Sequence, residues 1–219
     1  HLVDRTAGLE RGPLVRWFES NQYQRRLRVT GELERRAPYA LSGFETARSV
    51  ALKQTVKVTL PGPVTLARLA DDRHYGDLDG LVDAFARILS EEVRALADVG
   101  AVAFQLDEPM LARKPEDLGR VARSAAAVFG AAGESAMTIL STYFGDIDAA
   151  ADDWARLPGT HLGLEALPAS ANLACLDRLP RDRGVYLGCF DAATTRQEDA
   201  GDVATLLAPH RNVLQCRDV

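Results

Sequence analysis

Short β-branched or apolar runs recur through most of the chain, and their spacing constrains the fold more than any other feature. The runs are Thr55–Leu60, Val102–Asp107, Met137–Thr142, His161–Glu165, Val185–Cys189 and Asn212–Cys216. The last four begin at 137, 161, 185 and 212, so they lie 24, 24 and 27 residues apart. That interval holds one strand, one helix and two loops. Strands joined by helices run parallel. The clearest intervening helix is Leu78 to Val99, whose apolar residues Leu78, Leu81, Val82, Phe85, Ile88, Leu89, Val93 and Leu96 recur at steps of three and four. Asp77 stands at its N-cap and Gly100 just past its end. Further helices are expected at Pro115–Phe129, Ile147–Leu157, Asn172–Leu179 and Asp202–Leu207. Two architectures fit: an open doubly wound sheet and a (β/α) barrel. No G-x-G-x-x-G fingerprint follows any strand, which argues against the dinucleotide-binding form of the first.

The 219 residues contain 47% hydrophobic and 26% charged side chains. A chain of this size buries roughly 70% of its unfolded surface and needs no disulfide to do so. Its three cysteines, Cys175, Cys189 and Cys216, are odd in number and irregularly spaced, which suits a reducing compartment. A net charge of −5 offers no global attraction to nucleic acid. No apolar run is long enough to cross a membrane. No signal-like segment follows His1, so a cytoplasmic protein is expected.

In parallel α/β folds ligands meet the carboxyl ends of the strands. Polar, ionisable or thiol groups stand at five of the six such ends. Gln105-Leu106-Asp107-Glu108-Pro109 is the sharpest case, because Ala101 to Leu106 is apolar except for Gln105. Asp107 would emerge at the mouth of the sheet, able to hold an ammonium group or act in acid/base chemistry. Its bland alternative is a carboxylate that caps the next loop. Ser141-Thr142-Tyr143-Phe144-Gly145 ends the third strand, Glu165 the fourth, Cys189-Phe190-Asp191 the fifth and Cys216 the sixth. Glu165 and Cys216 are hard and soft candidates for a zinc ion, but the chain holds no H-x-C, C-x-x-C or H-x-x-x-H motif to complete the set. Cys175, on a helix, reads as a small buried hydrophobe.

Pro61-Gly62-Pro63-Val64-Thr65 is a tight turn into a helix whose first N–H groups could bind an anion, or could be simple loop geometry. Residues 1–50 are expected to form an irregular N-terminal segment that packs on the barrel. Within it Arg16, Trp17, Phe18, Tyr23, Arg25, Arg26 and Arg28 interleave cations with rings. They could form a phosphate- or ring-stacking surface. The preferred reading is that Trp17 and Phe18 plug the bottom of the barrel while the arginines are solvated.

Arg16-Trp17-Phe18-Glu19-Ser20-Asn21, Leu60-Pro61-Gly62-Pro63-Val64-Thr65, Phe104-Gln105-Leu106-Asp107-Glu108-Pro109, Ser141-Thr142-Tyr143-Phe144-Gly145 and the tail around Cys216 occur in an order that resembles the cobalamin-independent methionine synthase family. That family lies in the wider superfamily of uroporphyrinogen decarboxylase. The resemblance implies a (β/α)8 TIM-type barrel over residues 1–219, incomplete at the N-terminus because the opening strand is missing. It implies a methyltransferase that moves a methyl group from 5-methyltetrahydrofolate, or from a methylcobalamin donor, to the thiol of homocysteine. It implies substrate binding by Asp107, Glu108, Ser141 and Thr142, with Asp107 on the amino group, and zinc ligation by Glu165 and Cys216. Two departures stand out. Ser141-Thr142-Tyr143 occupies the place of the family's H-x-C pair, as in the non-zinc N-terminal barrel, and Asp191-Ala192-Ala193 replaces a catalytic His. The alternatives are therefore a non-catalytic N-terminal-type barrel that braces a second barrel or partner subunit, and a cofactor-free decarboxylase-like enzyme.

Overall fold

The computed structural model describes residues 2–18, 22–191, 194, 195 and 197–215. Five strands form a wholly parallel sheet: β3 (Lys57–Pro61), β5 (Ala103–Asp107), β6 (Met137–Ser141), β7 (His161–Glu165) and β8 (Gly184–Gly188), in the spatial order β3-β5-β6-β7-β8. These are five of the six expected strands, each within two residues of its expected start. The in-register partners Pro61, Asp107 and Ser141 bring three strand ends to one level.

Because side chains alternate along a strand, in-register parallel strands sort their residues onto two faces. One face carries Val58, Leu60, Phe104, Leu106, Leu140 and Leu162, all buried. These cluster with the apolar stripe of α3 (Leu78–Asp98), including Phe85 and Leu89, and with Val121, Ala125 and Val128 of α5 (Leu118–Gly130). The other face carries Lys57, Gln105, Asp107, Ser141, Glu165 and Tyr186, which is where the polar chemistry collects.

Helix α3 begins and ends as the sequence indicates. The Asp77 side chain accepts a 2.6 Å hydrogen bond from Gly80 N–H, and Gly100 takes the left-handed φ of 94° that a C′ residue requires. The segment expected as a helix from Pro115 follows the short helix α4 (Met110–Arg113) and opens with a 3-10 turn, Pro115–Asp117, before α5. Residues Asn172–Arg178 wind as a 3-10 helix rather than an α-helix. Between β6 and β7 only Asp148–Trp154 is helical.

The described residues before 51 are largely regular, which corrects the expectation. β1 (Thr6–Arg16) and β2 (Tyr23–Arg35) pair as a long antiparallel hairpin, and β4 (Asp71–Asp72) adds to β2 in parallel. Helix α1 (Leu41–Val50) follows. Val29 and Leu33 of β2 are fully buried, and Leu9 of β1 nearly so, so the hairpin docks one face on the core. It forms a second sheet and contributes no strand to the parallel one. A closed eight-stranded barrel is therefore not seen among the described residues.

The expected strand Asn212–Cys216 is also corrected. Arg211–Leu214 is a short helix, preceded by a 3-10 turn that contains His210, and Cys216 lies outside the described residues. His210-Arg211-Asn212 is polar, and without an apolar alternation the local run has no face to bury as a strand.

Candidate functional site at the carboxyl ends of the parallel strands

Asp107 and Glu108 are adjacent in sequence, yet the strand pleat sends their side chains in opposite directions. Glu108 is fully buried and turns toward α2 (Pro63–Leu69). One of its carboxylate oxygens accepts from Val64 N–H at 2.9 Å. The other accepts from Thr65 N–H at 2.8 Å and from the Thr65 hydroxyl at 2.7 Å. The anion at the start of this helix is thus an internal one. Gly62 is required for its close approach, because a Cβ there would stand 2.1 Å from the Glu108 carboxyl carbon. Burial pushes the Glu108 carboxyl up to about 7, against the pull of these hydrogen bonds.

Asp107 turns to the polar face. It accepts from Gln105 Nε2 at 2.7 Å and from the Tyr143 hydroxyl at 3.2 Å. Gln105 Oε1 in turn accepts from Lys57 Nζ, whose ammonium lies 4.1 Å from the centre of the Tyr186 ring. A polar chain therefore joins the two edge strands, β8 and β3, and runs on through β5 to the loop after β6. Burial raises the Asp107 carboxyl above the ordinary range, opposed by Gln105, Tyr143 and the Lys57 charge. The same burial, with the Asp107 charge beside it, raises the Tyr143 phenol.

Beside this chain a cavity of about 440 Å³ opens between the tips of β6, β7 and β8. Ser141 and Thr142 line it, and the Thr142 hydroxyl donates to Gly163 O at 3.1 Å. Glu165 stands in its wall and accepts from Phe144 N–H at 3.0 Å. Phe18 and Phe144 form its rim, with ring centres 5.5 Å apart. Phe18 thus belongs to the carboxyl end of the sheet and does not plug the bottom, because it stands just past the end of β1. Both residues are left-handed, with φ of 43° and 63°. A non-glycine residue pays for that conformation, and such strain concentrates at functional sites. The Phe18–Phe144 contact is invisible in sequence, since no local pattern marks two rings 126 positions apart.

Among the described residues, no three His, Cys, Asp or Glu side chains converge as metal ligands. Ser141, Thr142 and Tyr143 offer hydroxyls beside Glu165 where zinc would need imidazole or thiolate. The described residues therefore do not fit a zinc site, and Cys216 lies outside them. Cys175 is fully buried with its thiol pushed up to about 11 by burial, as suits a packing residue. No helix among the described residues is long and apolar enough to cross a membrane.

Comparison with known proteins agrees with this architecture. The methionine synthase of Saccharolobus solfataricus is 32% identical over 107 residues, covering 49% of this chain and 32% of that protein. That of Thermococcus kodakarensis is 27% identical over 203 residues, covering 88% of this chain and 56% of its own length. The chain thus spans about a third to just over half of these relatives. The structure of a B12-independent methionine synthase from a Shewanella species, in complex with selenomethionine, superposes with a TM-score of 0.76 at 21% identity. It matches all of this chain and 69% of that one. Residues 9–215 match the cobalamin-independent synthase N-terminal domain, so the chain belongs to that family.

Proposed function

We propose that this chain works in methyl transfer to the thiol of homocysteine, and that its own task is to bind a small amino acid at the carboxyl ends of the parallel strands. The observation that carries this reading is Asp107: a carboxylate on the polar face, braced by Gln105 and Tyr143 and flanked by the hydroxyl-lined cavity. A carboxylate held in this way suits the ammonium of a homocysteine-like substrate, with Ser141 and Thr142 beside its backbone. Glu108 acts instead as the internal cap of α2. The selenomethionine held by the structural relative supports the same class of ligand.

Asp107→Asn should weaken binding of homocysteine or methionine at least about tenfold in calorimetric titration, the cost of a lost charge-assisted hydrogen bond. Unchanged binding would dispose of the role. Because ammonium binding needs the carboxylate, affinity should rise as pH climbs through the raised Asp107 range, and Asp107→Asn should abolish that rise.

A second reading, a non-catalytic N-terminal-type barrel that braces a partner barrel or subunit, is favoured by Ser141-Thr142-Tyr143 in place of an H-x-C pair and by the family match. Methyl transfer to homocysteine by the chain alone, from either 5-methyltetrahydrofolate or methylcobalamin, would exclude it. Zinc held by Glu165 and Cys216 is tested by metal analysis before and after Cys216→Ser. The decarboxylase-like alternative is disfavoured by a cavity wall with one arginine, Arg113, and two acids, which does not suit a polycarboxylate tetrapyrrole. We further read residues 1–219 as one domain and the five parallel strands as part of a (β/α)8 barrel. Helices on one face and polar strand ends are what such a barrel requires.

A further inference from the structure

Lys57 stands on the polar face of β3, opposite Ala103 of β5. Gln105 lies two residues further along β5 on the same face, a diagonal neighbour within reach of a long side chain. The small Ala103 leaves the lysine stem room to lean that way. The Lys57 ammonium donates to Gln105 Oε1 and lies 4.1 Å from the centre of the Tyr186 ring. Gln105 is 9% exposed, and its Nε2 donates to Asp107 Oδ1 at 2.7 Å. A lysine ammonium only donates hydrogen bonds, and a carboxylate only accepts them. A glutamine amide between the two has one orientation that satisfies both. Turned over, its NH2 would face the ammonium and its oxygen the carboxylate, and both hydrogen bonds would become repulsions.

We propose that Lys57 is a positioning residue of the candidate site and acts through Gln105: it fixes the amide so that an N–H faces Asp107 and holds that carboxylate in the pose that meets a ligand's ammonium. The proposal deepens the reading of Asp107 as the ammonium-binding group and rests on it. Without Lys57 the Gln105 amide is free to turn. One oxygen of Asp107 then loses its donor, while Tyr143 still donates to the other at 3.2 Å. Lys57 also acts by charge. Burial raises the Asp107 carboxyl and the Lys57 charge works against that rise, so the ionised form that an ammonium needs persists to lower pH. The other titratable groups beside Asp107 are the Tyr143 phenol, which burial keeps neutral, and Glu108, which turns away toward α2. Both are common to the parent and to Lys57 variants. A lysine that merely neutralised Asp107 would act in the opposite sense. It would compete with the ligand's ammonium, and its removal would strengthen binding.

The test is calorimetric titration of the purified chain with methionine at acidic, neutral and mildly alkaline pH, in the parent, Asp107→Asn, Lys57→Met, Lys57→Arg and Gln105→Leu. At the alkaline end, where Asp107 is ionised in every variant that keeps it, Lys57→Met should weaken methionine about twofold to tenfold, the span of one hydrogen bond. It should also move the rise of affinity with pH to higher pH. Lys57→Arg keeps the charge and the donor and should restore both. Gln105→Leu should weaken binding similarly. Adding Lys57→Met to it should then change the alkaline affinity by less than about twofold, because two residues that act through one link are not additive. Lys57 is partly exposed and the replacement is of similar length, so Lys57→Met should fold, which an unchanged melting curve would verify. Unchanged or tighter binding in Lys57→Met, no recovery in Lys57→Arg, parent-like binding in Gln105→Leu, or a full further loss in the double variant would each overturn the positioning role while Asp107→Asn still weakens binding. Should Asp107→Asn bind methionine as the parent does, the reading of the site itself falls, and this role with it.

Discussion

Glu108 is the residue where local chemistry and global stability meet most directly. Its carboxyl keeps a proton up to about pH 7 in the folded chain, while an unfolded glutamate releases it near 4.5. Between those values the native state binds more protons than the unfolded state, so stability should fall as pH rises from about 4.5 to about 7. The size is roughly 3 kcal/mol, by the conversion of pKa shift to free energy. Urea unfolding across that range should show the fall in the parent chain and lose it in Glu108→Gln. A flat parent profile would contradict the reading. Gly62 gives a second check at the same place. Gly62→Ala would drive a Cβ into the Glu108 side chain and should cost about 2 kcal/mol or more. The sequence marked Asp107-Glu108 as a pair of site residues. It could not separate them, because which carboxylate faces the cavity depends on where α2 crosses the end of β5.

At the scale of elements, ion pairs tie the helices together. Asp117 is buried and accepts from Arg68 of α2 through Nε and Nη2, both at 2.7 Å, and from Arg120 of α5 at 3.0 Å. Burial works to raise its carboxyl, but the Arg68 hydrogen bonds and charge, with Arg120 behind them, hold it below the ordinary range. This contribution is present above the unfolded pKa and is lost as pH falls through the folded one, the opposite sign to Glu108. Asp117→Ala should destabilise by about 3 kcal/mol, because it strands the partly buried Arg68 guanidinium, whereas Arg120 keeps its pair with Asp79. Arg156→Ala, on an exposed pair with Asp153, should change stability by less than about 0.5 kcal/mol in the same assay. The hairpin β1–β2 was legible in part. Leu27, Val29, Gly31 and Leu33 alternate at period two along β2, and Val29 and Leu33 are fully buried. Gly8, Gly12 and Pro13 in β1 and the density of arginines mask the pattern. The ladder tolerates them through irregularities between Ala7 and Leu9 and between Arg11 and Leu14.

Across the whole molecule one hydrophobic cluster joins Leu9, Val29, Leu33 and Phe44 of the N-terminal segment to Val82, Phe85 and Leu89 of α3 and to the parallel sheet. Glu92, buried on α3, pins the junction. It accepts from Arg35 Nε at 2.8 Å, from Tyr39 N–H at 2.9 Å and from Ala40 N–H at 2.7 Å. Unfolding should therefore be a single transition, with far-ultraviolet circular dichroism and the fluorescence of buried Trp154 changing together. Glu92→Ala strands two backbone N–H groups and the Arg35 charge. It should cost about 3 kcal/mol and expose residues 36–40 to proteolysis before the rest of the chain. Coincident transitions and unchanged proteolysis in that variant would show the junction to be held by apolar contact alone.

The amino-acid sequence by itself determined the parallel strands, the long α3 helix with its caps, and the collection of polar groups at the strand ends. Each of these is written in the period of a segment or in the residue that stops it, so each is a local property. The tertiary structure decided which carboxylate of Asp107-Glu108 faces the cavity, that the N-terminal segment pairs with itself and adds nothing to the parallel sheet, and that Phe18 meets Phe144 above Glu165. Those outcomes depend on contacts between residues tens of positions apart, whose strength comes from burial and shape complementarity that no local run of residues encodes.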